Sequence, residues 1–265
     1  MRKLPVSVFI IAVDEADRIV ASIESVREWV DEVIVIDSGS KDDTVRVSEA
    51  AGAKVIFHAW PGYGEQKRFG EDQCRNSWLL NIDADEVIGA ALAREIEALF
   101  ANGKPQHASY SMDIVEILPG ESKPGWFAHR VDAIRLYDRR CGRFDASTVH
   151  DSVRMESGTV GRLANIVEHR SSRGIAHSIA KINRYSSMQA DNMIARGARP
   201  ALLELRIVFE PFIGFFKAYF VRGYCLKGFY GFINAVNYGF SRFARLAKYW
   251  EAEKKQLSAR QRPRQ

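Results

Sequence analysis

The fold is decided by an apolar stretch that ends in three carboxylates, Leu79-Leu80-Asn81-Ile82-Asp83-Ala84-Asp85-Glu86. The run from Trp78 to Ile82 has the composition of a parallel strand buried on both faces. In open α/β sheets the ligand crevice lies beyond the carboxyl ends of the strands, so we expect Asp83 and Asp85 to project into it. Such oxygens suit Mg²⁺ or Mn²⁺ shared with a diphosphate. The alternative is a strand followed by an acidic helix start, because residues 89–100 have a helical pattern.

Charge is distributed unevenly along the 265 residues. The formal net charge is +5, yet residues 200–265 hold 12 Lys and Arg against 4 Asp and Glu, so the preceding part is slightly acidic. Hydrophobic residues make up 46% of the chain, which is enough for a full core and excludes disorder for most of it. The three cysteines lie far apart without Cys-X-X-Cys spacing and indicate neither a disulfide framework nor a zinc site. We therefore expect a reducing cytoplasm.

Strands and helices alternate along the N-terminal part of the chain. Val6–Val13 is apolar and β-branched, and we interpret it as a first strand rather than a signal peptide because acidic residues follow without a cleavage pattern. The patterns that follow predict a helix over Asp17–Trp29, a strand over Glu32–Ile36, a helix from Asp42 to Gly52 and a strand over Lys54–Phe57. This alternation predicts an α/β fold with a doubly wound, mostly parallel sheet. No Gly-X-Gly-X-X-Gly or Walker-type loop is present, which disfavours a dinucleotide site of the Rossmann type.

Two loops carry further side chains that could contact a nucleotide. Asp37 follows the second strand and precedes Ser-Gly-Ser, so its carboxylate could accept hydrogen bonds from a base or ribose, or could close the loop as an Asx-turn. Lys67 and Arg68 end the segment Trp-Pro-Gly-Tyr-Gly-Glu-Gln-Lys-Arg and could bind a diphosphate. The ordinary alternative for these two cations is a solvated helix start.

Four motifs in this order resemble those of family 2 glycosyltransferases with a GT-A fold. They are Val-Asp-Glu-Ala at 13–16, Val-Ile-Asp-Ser-Gly-Ser-Lys-Asp-Asp-Thr at 35–44, the segment at 60–68, and Asn-Ile-Asp-Ala-Asp-Glu at 81–86. More narrowly, the chain is similar to bacterial lipopolysaccharide core β-1,4-glucosyltransferases. That similarity extends over nearly the whole chain and includes Phe144–Val153, Val160–Leu163 and Lys181–Ser186.

The resemblance implies a role for each matching residue. It implies that the uridine is held by Asp14, Glu15 and Asp37. It also implies that Lys67 and Arg68 lie near the nucleotide, and that Asp83 and Asp85 form the motif that binds the metal and the diphosphate. We expect Asp85 to ligate Mg²⁺ or Mn²⁺ directly and Asp83 to act through ribose or water. The family commonly has Asn where this chain has Asp14, a side chain that accepts hydrogen bonds but cannot donate them.

The adjacent pair His150-Asp151 is the second chemical candidate, because an inverting sugar transfer needs a base for the acceptor hydroxyl. Neighbours on a strand face opposite sides, so only one of the two can point into the site. The resemblance selects Asp151 as the catalytic base, although the family more often has Glu there. The alternative is a surface His-Asp pair. The other histidines lack metal-ligand spacing and are predicted to be structural or surface residues: His58, His107, His129, His169 and His177.

The C-terminal part has an interfacial composition. Residues 209–250 hold 15 of the 29 aromatic residues, interleaved with Lys and Arg. Apolar residues recur at helical spacing and predict two amphipathic helices, whereas the uncharged stretch Gly228–Ser241 is too short to span a membrane. We expect residues 1–200 to form the GT-A catalytic domain and residues 201–265 a helical region that docks on an anionic membrane surface. A packed helical cap and a dimer interface are the alternatives, and a nucleic-acid surface ranks lower because the body carries no positive field.

We therefore expect a metal-dependent inverting glycosyltransferase that is peripheral on the inner, cytoplasmic face of the bacterial cytoplasmic membrane. Its expected partners are a UDP-sugar donor, with glucose the first candidate, and a lipopolysaccharide-core or related glycolipid acceptor, with no nucleic acid. One alternative is a transferase that uses another nucleotide-sugar and a polysaccharide or lipid-linked acceptor. An alternative of another class is an inactive nucleotide-sugar-binding scaffold. The sequence assigns no oligomeric state.

Overall fold

The computed structural model describes residues 3–118, 121, 123–125, 128–146, 152–171, 173–197 and 199–260, with the backbone alone for 256–260. The chain divides into two compact units. The first is formed by Met1–Pro124 with Ala128–Ser171, and the second by Ser172–Gln265 with Gly125–Phe127. The expected catalytic domain of residues 1–200 rests on composition and stays a prediction.

The first unit is built around a nine-stranded sheet. One half of this sheet is parallel and has the spatial order β3-β2-β1-β4. Its strands are β1 (Leu4–Ala12), β2 (Val30–Asp37), β3 (Lys54–Phe57) and β4 (Trp78–Asn81). Each segment predicted as a strand in this half forms one, and the apolar runs of β1, β2 and β4 are mostly buried, as suits strands with both faces covered.

Beyond β4 the sheet becomes mixed and continues in the order β7-β6-β11-β5, with β10 paired to β6. The added strands are β5 (Glu86–Ile88), β6 (Ser109–Glu116), β7 (Arg130–Asp138), β10 (Val160–Arg162) and β11 (Val167–His169). A separate two-stranded sheet contains β8 (Gly142–Phe144) and β9 (Val153–Met155). Parallel pairings outnumber antiparallel ones in the described sheet, so the expected α/β, mostly parallel architecture is confirmed.

Two apolar clusters cover the two faces of the sheet. Successive side chains of a strand point to opposite faces, so Val8 and Ile10 of β1 enter the larger cluster while Phe9 enters the smaller one. All three residues are fully buried. β1 is thus an interior strand of the sheet, and its parallel pairing with β2 and β4 places the loops after these strands at one edge.

Four helices connect the strands of the first unit: α1 (Ile19–Glu24), α2 (Thr44–Ala50), α3 (Tyr63–Gln73) and α4 (Ala90–Leu99). The prediction of one helix over Asp17–Trp29 is wrong in its extent, because α1 ends at Glu24. The amides of Val26 and Trp29 each donate to a carbonyl three residues back at 3.2 Å, which makes tight turns. Such turns also bury an apolar stripe, so the spacing of apolar residues did not determine where the helix ends.

The second unit is helical. It contains α5 (Ile175–Ala195), α6 (Leu203–Phe216) and α7 (Gly228–Arg260), with a π-helical turn at Lys217–Val221 and a 3₁₀ turn at Tyr224–Lys227. Glycines let α6 and α7 approach closely, since a Cβ on Gly239 would lie 2.5 Å from the Pro211 carbonyl oxygen. A Cβ on Gly214 of α6 would lie 3.2 Å from the Cα of Gly239 in α7. The two predicted amphipathic helices are therefore present as a tightly packed hairpin.

Large apolar side chains on the outside of this hairpin are exposed. Phe212 of α6 is 61% exposed and Phe229 of α7 is 77% exposed. Other exposed members of the same two helices are Leu205, Val208, Phe209, Ile213, Phe216, Phe232, Val236, Phe240 and Phe243. Among the described residues, no helix combines the length and apolar character needed to cross a membrane.

Candidate active site

The loops after β1 and β2 are bonded to each other at the carboxyl edge of the sheet. The amide of Asp14 donates to Ser40 Oγ at 3.0 Å, and the amide of Lys41 donates to Asp14 Oδ1 at 2.7 Å. The amide of Glu15 donates to Thr44 Oγ1 at 2.7 Å. Asp14 acts here as an acceptor, a role that an Asn oxygen could also fill, so the departure from the family pattern does not alter this contact.

Asp37 closes the second loop with its carboxylate. Its Oδ2 accepts the amides of Gly39 at 2.9 Å and Ser40 at 3.1 Å, and its Oδ1 accepts the Ser40 hydroxyl. The side chain is buried. The Asx-turn alternative is therefore confirmed, and a contact between Asp37 and uridine stays a prediction.

Lys67 and Arg68, adjacent on α3, have different surroundings. Lys67 is fully buried, with its Nζ 3.0 Å from Asp83 Oδ1 and 5.1 Å from the centroid of the Phe144 ring. The alternative of a solvated helix start is wrong for Lys67. Arg68 is half-buried, and its carbonyl accepts a hydrogen bond from Arg143 at 3.4 Å. The structure thus brings Lys67, but not the Arg68 side chain, into contact with the carboxylates after β4.

Asp83 lies between two cations from different elements. Besides Lys67, it contacts Arg135 of β7, whose Nη2 is 3.2 Å from Asp83 Oδ2 and 2.7 Å from Glu86 Oε1. Arg135 Nη1 also donates to Asn81 Oδ1 at 2.7 Å. The Arg135 side chain is 8% exposed, whereas a third of the Asp83 side chain is exposed. Two buried cations, Lys67 and Arg135, therefore contact a carboxylate that is partly exposed.

These surroundings shift the pKa values of Asp83 and Glu86 in opposite directions. Burial opposes the charge on Asp83, but Lys67 and Arg135 outweigh it and hold its pKa well below the usual range. Burial raises the pKa of Glu86 to about 7, with the Asp83 charge adding to that rise and Arg135 opposing it. Asp83 is therefore the ionised member of the pair, and Glu86 is the residue that carries a proton more readily.

Asp85 contacts an arginine and a histidine. Its Oδ2 is 3.2 Å from Arg18 Nη1 and 3.2 Å from His169 Nε2. Arg18 also forms a close ion pair with Glu15. Burial disfavours the Asp85 charge, yet His169 and Arg18 lower the pKa of this carboxyl overall. The hydrogen bond to Asp85 is the main cause that raises the pKa of His169, against the effect of its burial.

Strand pairing explains how His169 reaches this position. β11 pairs antiparallel with β5, which sets His169 opposite Glu86, and the amide of Arg170 donates to the Asp85 carbonyl at 2.8 Å. The prediction that His169 is a structural or surface residue missed this contact. Arg18 and Arg135 were missed as well. Arg135 and His169 are brought there by pairing between strands far apart in sequence, and Arg18 reaches Asp85 from the loop after β1, so no short motif indicates these residues.

Asp85 and His169 carry the kinds of donor atom that a divalent cation binds. Their Oδ2 and Nε2 atoms lie 3.2 Å apart and share a hydrogen bond, which they would have to give up to ligate one ion together. Carboxylate oxygen and imidazole nitrogen both suit Mn²⁺, and the oxygen also suits Mg²⁺. Among the described residues, no group of three or more His, Cys, Asp or Glu forms a complete metal site. The remaining ligands would thus have to come from water and substrate, as is usual for Mg²⁺.

Glu71 of α3 holds the two-stranded sheet in place. Its Oε1 accepts the hydroxyl of Tyr137 at 2.7 Å and the amide of Phe144 at 2.9 Å, and its Oε2 accepts Arg143 Nε at 2.8 Å. Glu71 and Tyr137 are fully buried, and burial followed by the Glu71 charge raises the pKa of Tyr137. These bonds fix β8, which precedes the segment with the predicted base. His150 and Asp151 themselves lie outside the described residues.

Comparison with known proteins identifies the family. The sequence model described as Glycosyl transferase family 2 matches residues 7–156, more than half of the chain. The chain belongs to this family. Its family membership, its mixed, mostly parallel sheet and its helical C-terminal unit confirm the GT-A fold expected from the motifs.

Two relatives are similar in sequence to this family 2 glycosyltransferase over more than nine tenths of its length, and one solved structure is similar over less than half. An uncharacterized glycosyltransferase of Rickettsia felis is 40% identical over 256 residues, 93% of this chain and 90% of that protein. The lipopolysaccharide core biosynthesis glycosyltransferase LpsC of Rhizobium meliloti is 31% identical over 255 residues, 94% of this chain and 93% of LpsC. Among solved structures, glucosyl-3-phosphoglycerate synthase of Mycobacterium tuberculosis, crystallised with Mn²⁺, UDP and glucosyl-3-phosphoglycerate, is 26% identical over 43% of this chain and 44% of that chain, with a TM-score of 0.34.

Proposed function

We propose that this glycosyltransferase transfers a sugar, glucose being the first candidate, from a UDP-sugar to a lipopolysaccharide-core or related glycolipid acceptor with inversion. The observation that carries the proposal is the Asp83 and Asp85 pair, placed among cations at the carboxyl edge of the sheet. Family membership supports the reaction type, and similarity to LpsC supports the acceptor class.

The residues have complementary tasks in this proposal. Asp85 and His169 would ligate Mg²⁺ or Mn²⁺, and Asp83 would contact the ion or the ribose through water. When bound, a divalent ion neutralises diphosphate charge and stabilises the departing UDP. Lys67 and Arg135 keep Asp83 ionised and ordered, because each lies within 3.2 Å of its carboxylate.

The sequence motifs and the loop geometry indicate which residues would bind the nucleotide and which would act on the acceptor. Asp14, Glu15 and Asp37 would form the uridine side of the site, since the hydrogen bonds between their loops order both segments together. Asp151 would take the proton of the acceptor hydroxyl, whose oxygen then attacks the anomeric carbon as the bond to UDP breaks. Arg68 would supply charge near the nucleotide.

A donor screen tests the reaction. Metal-free full-length protein is supplied with UDP- and GDP-sugars, with and without Mn²⁺, together with rough lipopolysaccharide, and nucleotide release and labelled product are measured. We expect Mn²⁺-dependent release of UDP from UDP-glucose, lost in Asp85→Asn and retained in Asp132→Asn, whose side chain forms a surface pair with Arg162. Preference for a GDP-sugar would contradict the donor assignment. UDP binding without turnover of any donor would indicate a scaffold instead.

The second unit suits an anionic leaflet. Its exposed phenylalanines can each contribute about 1.5–3 kcal/mol on burial, and each nearby Lys or Arg contributes about 1 kcal/mol at an anionic surface. Lys217, Arg222 and Lys227 lie in the connection between α6 and α7, next to the exposed apolar side chains. These features support the proposal that the outer side of the hairpin is the contact surface of a protein docked on the cytoplasmic face of the membrane.

Vesicle flotation tests this placement. Full-length protein should float with phosphatidylcholine vesicles that contain phosphatidylglycerol, more weakly at high salt, and hardly at all with phosphatidylcholine alone. Phe212→Ser combined with Phe216→Ser should reduce flotation, whereas Phe57→Ser, at an exposed position of the first unit, should not. Equal flotation of all variants, or none with anionic vesicles, would contradict membrane docking and favour the cap or dimer alternative.

A further inference from the structure

A polar groove runs between α5 and α7 within the second unit. It encloses a cavity of about 330 Å³ and is lined mainly by Lys181, Tyr185 and Gln189 from α5 and by Asn234, Asn237 and Ser241 from α7. The lining residues of each helix recur at intervals of three or four, so one face of each helix forms one wall. The groove is therefore formed by regularly spaced side chains on facing sides of the two helices.

The walls of the groove are fixed by a lysine that crosses between the helices. Lys248 Nζ of α7 donates to the Asn183 carbonyl and to Asn183 Oδ1, each at 2.6 Å, and to Ser186 Oγ at 2.9 Å. Ser186 lines the groove and is buried. A site held in this way loses little conformational entropy when a ligand binds.

Hydrogen-bonding groups in the groove are available to a ligand. Within the part of the chain that the structure describes, the side-chain amides of Gln189, Asn234 and Asn237 make no hydrogen bond to protein. Each amide offers two donors and one acceptor oxygen, a set that matches the paired donor and acceptor character of sugar hydroxyls. The Tyr185 ring, 42% exposed, adds an apolar face for C–H groups. This combination is suited to a carbohydrate.

Charge narrows the class of carbohydrate. Lys181 lines the groove, and none of the described lining residues is acidic. Lys181 Nζ also lies 5.9 Å from the centroid of the Tyr185 ring, so the cation and the aromatic surface are neighbours. An anionic sugar gains an ion pair there that a neutral sugar does not.

The same helix carries the groove and the exposed apolar side chains. At about 100° per residue, Asn234, Asn237 and Ser241 lie on one side of α7, and Phe229 and Phe240 lie on another. A molecule with an anionic sugar headgroup and a lipid tail could meet both sides of α7 at once. We propose that the groove between α5 and α7 binds the phosphorylated sugar headgroup of the glycolipid acceptor. This inference rests on the proposed function for the identity of its ligand.

Direct binding tests the groove independently of turnover. The probe is deacylated lipopolysaccharide of a deep-rough strain, which keeps the phosphorylated core sugars, and its Kd for full-length protein is measured by calorimetry. We expect Asn234→Ala and Asn237→Ala each to raise Kd by about 3- to 10-fold, the effect of one lost hydrogen bond. Alanine favours helix more than asparagine does, so these variants should fold. Asn102→Ala, at an exposed position of the first unit, is the matched control and should leave Kd unchanged.

Further arms identify the ligand class. Lys181→Met should weaken the phosphorylated probe by about 10-fold and a dephosphorylated probe hardly at all. No binding by the wild-type protein, or equal Kd in the asparagine variants, would overturn the proposal. Equal affinity for both probes would refute the anionic assignment, and displacement of the probe by UDP-glucose would show that the donor occupies the groove. Groove binding without any sugar transfer would refute the proposed function while leaving a carbohydrate site in place.

Discussion

Replacement of the buried Glu71 should destabilise the first unit in steps that follow the hydrogen bonds lost. Glu71→Leu leaves the Tyr137 hydroxyl and the Phe144 amide without their acceptor, at about 1–3 kcal/mol each, so we expect a loss of about 4 kcal/mol. Glu71→Gln keeps an oxygen for both donors and loses the bond to Arg143. Because Arg143 is 35% exposed and also pairs with Asp72, we expect no more than about 1 kcal/mol for this change. Tyr137→Phe should cost about 1 kcal/mol, since the carboxylate keeps its other two partners.

Urea unfolding followed by circular dichroism and tryptophan fluorescence measures these free energies. The slope against urea should stay constant, so that midpoint shifts report stability. Glu49→Gln replaces an exposed glutamate on α2 and should change the free energy of unfolding by no more than about 0.5 kcal/mol. A midpoint for Glu71→Leu equal to that of the wild-type protein, or a larger loss for Tyr137→Phe than for Glu71→Leu, would refute the reasoning.

Three further predictions concern the site. Calorimetry with UDP should show binding that requires Mn²⁺ and is lost in Asp85→Asn, because diphosphate and carboxylates repel without a cation; equal affinity in EDTA would contradict this. Asp151→Asn should lower transfer by about 10²–10⁴ with UDP affinity nearly unchanged, and His150→Asn should be milder; near-wild-type turnover by a folded Asp151→Asn protein would reject the base. The raised pKa of His169 means that its pairing with Asp85 stabilises the metal-free protein below the unfolded pKa of about 6.5 and is lost as pH rises through the folded pKa. His169→Gln should flatten the melting temperature against pH in that window in EDTA, and an unchanged pH slope would argue against the pair.

The parallel half of the sheet could be predicted from the sequence because its signals are local. The strand over Lys54–Phe57 has the predicted bounds, and the helix predicted over residues 89–100 appears as α4, Ala90–Leu99. Asp83 and Asp85 could be proposed together because they follow one strand in sequence. In each case the residues that determine the structure lie within a few positions of one another.

Arg135 and His169 could not be predicted as neighbours of these carboxylates, since non-local strand pairing brings them there, whereas Lys67 could be proposed from its motif. Arg135 is 52 residues from Asp83, and His169 is 84 residues from Asp85. His169 depends on the short strand β5, whose three residues carry too little pattern to indicate a strand by themselves. A cluster built from strand ends therefore becomes visible only when the register of the sheet is known.

The close approach of α6 and α7 has a consequence for how the second unit can change during evolution. Two glycines lie in this seam: a Cβ would come within 2.5 Å of the Pro211 carbonyl oxygen at Gly239 and within 3.2 Å of the Gly239 Cα at Gly214. Real Cβ atoms essentially never approach backbone atoms within 3.0 Å, and those at 3.0–3.4 Å force a neighbour to move. The outward aromatic positions carry no such restriction. Natural selection can therefore change the outer face of the hairpin with little restriction while the inner seam, and with it the packing of the two helices, is inherited unchanged.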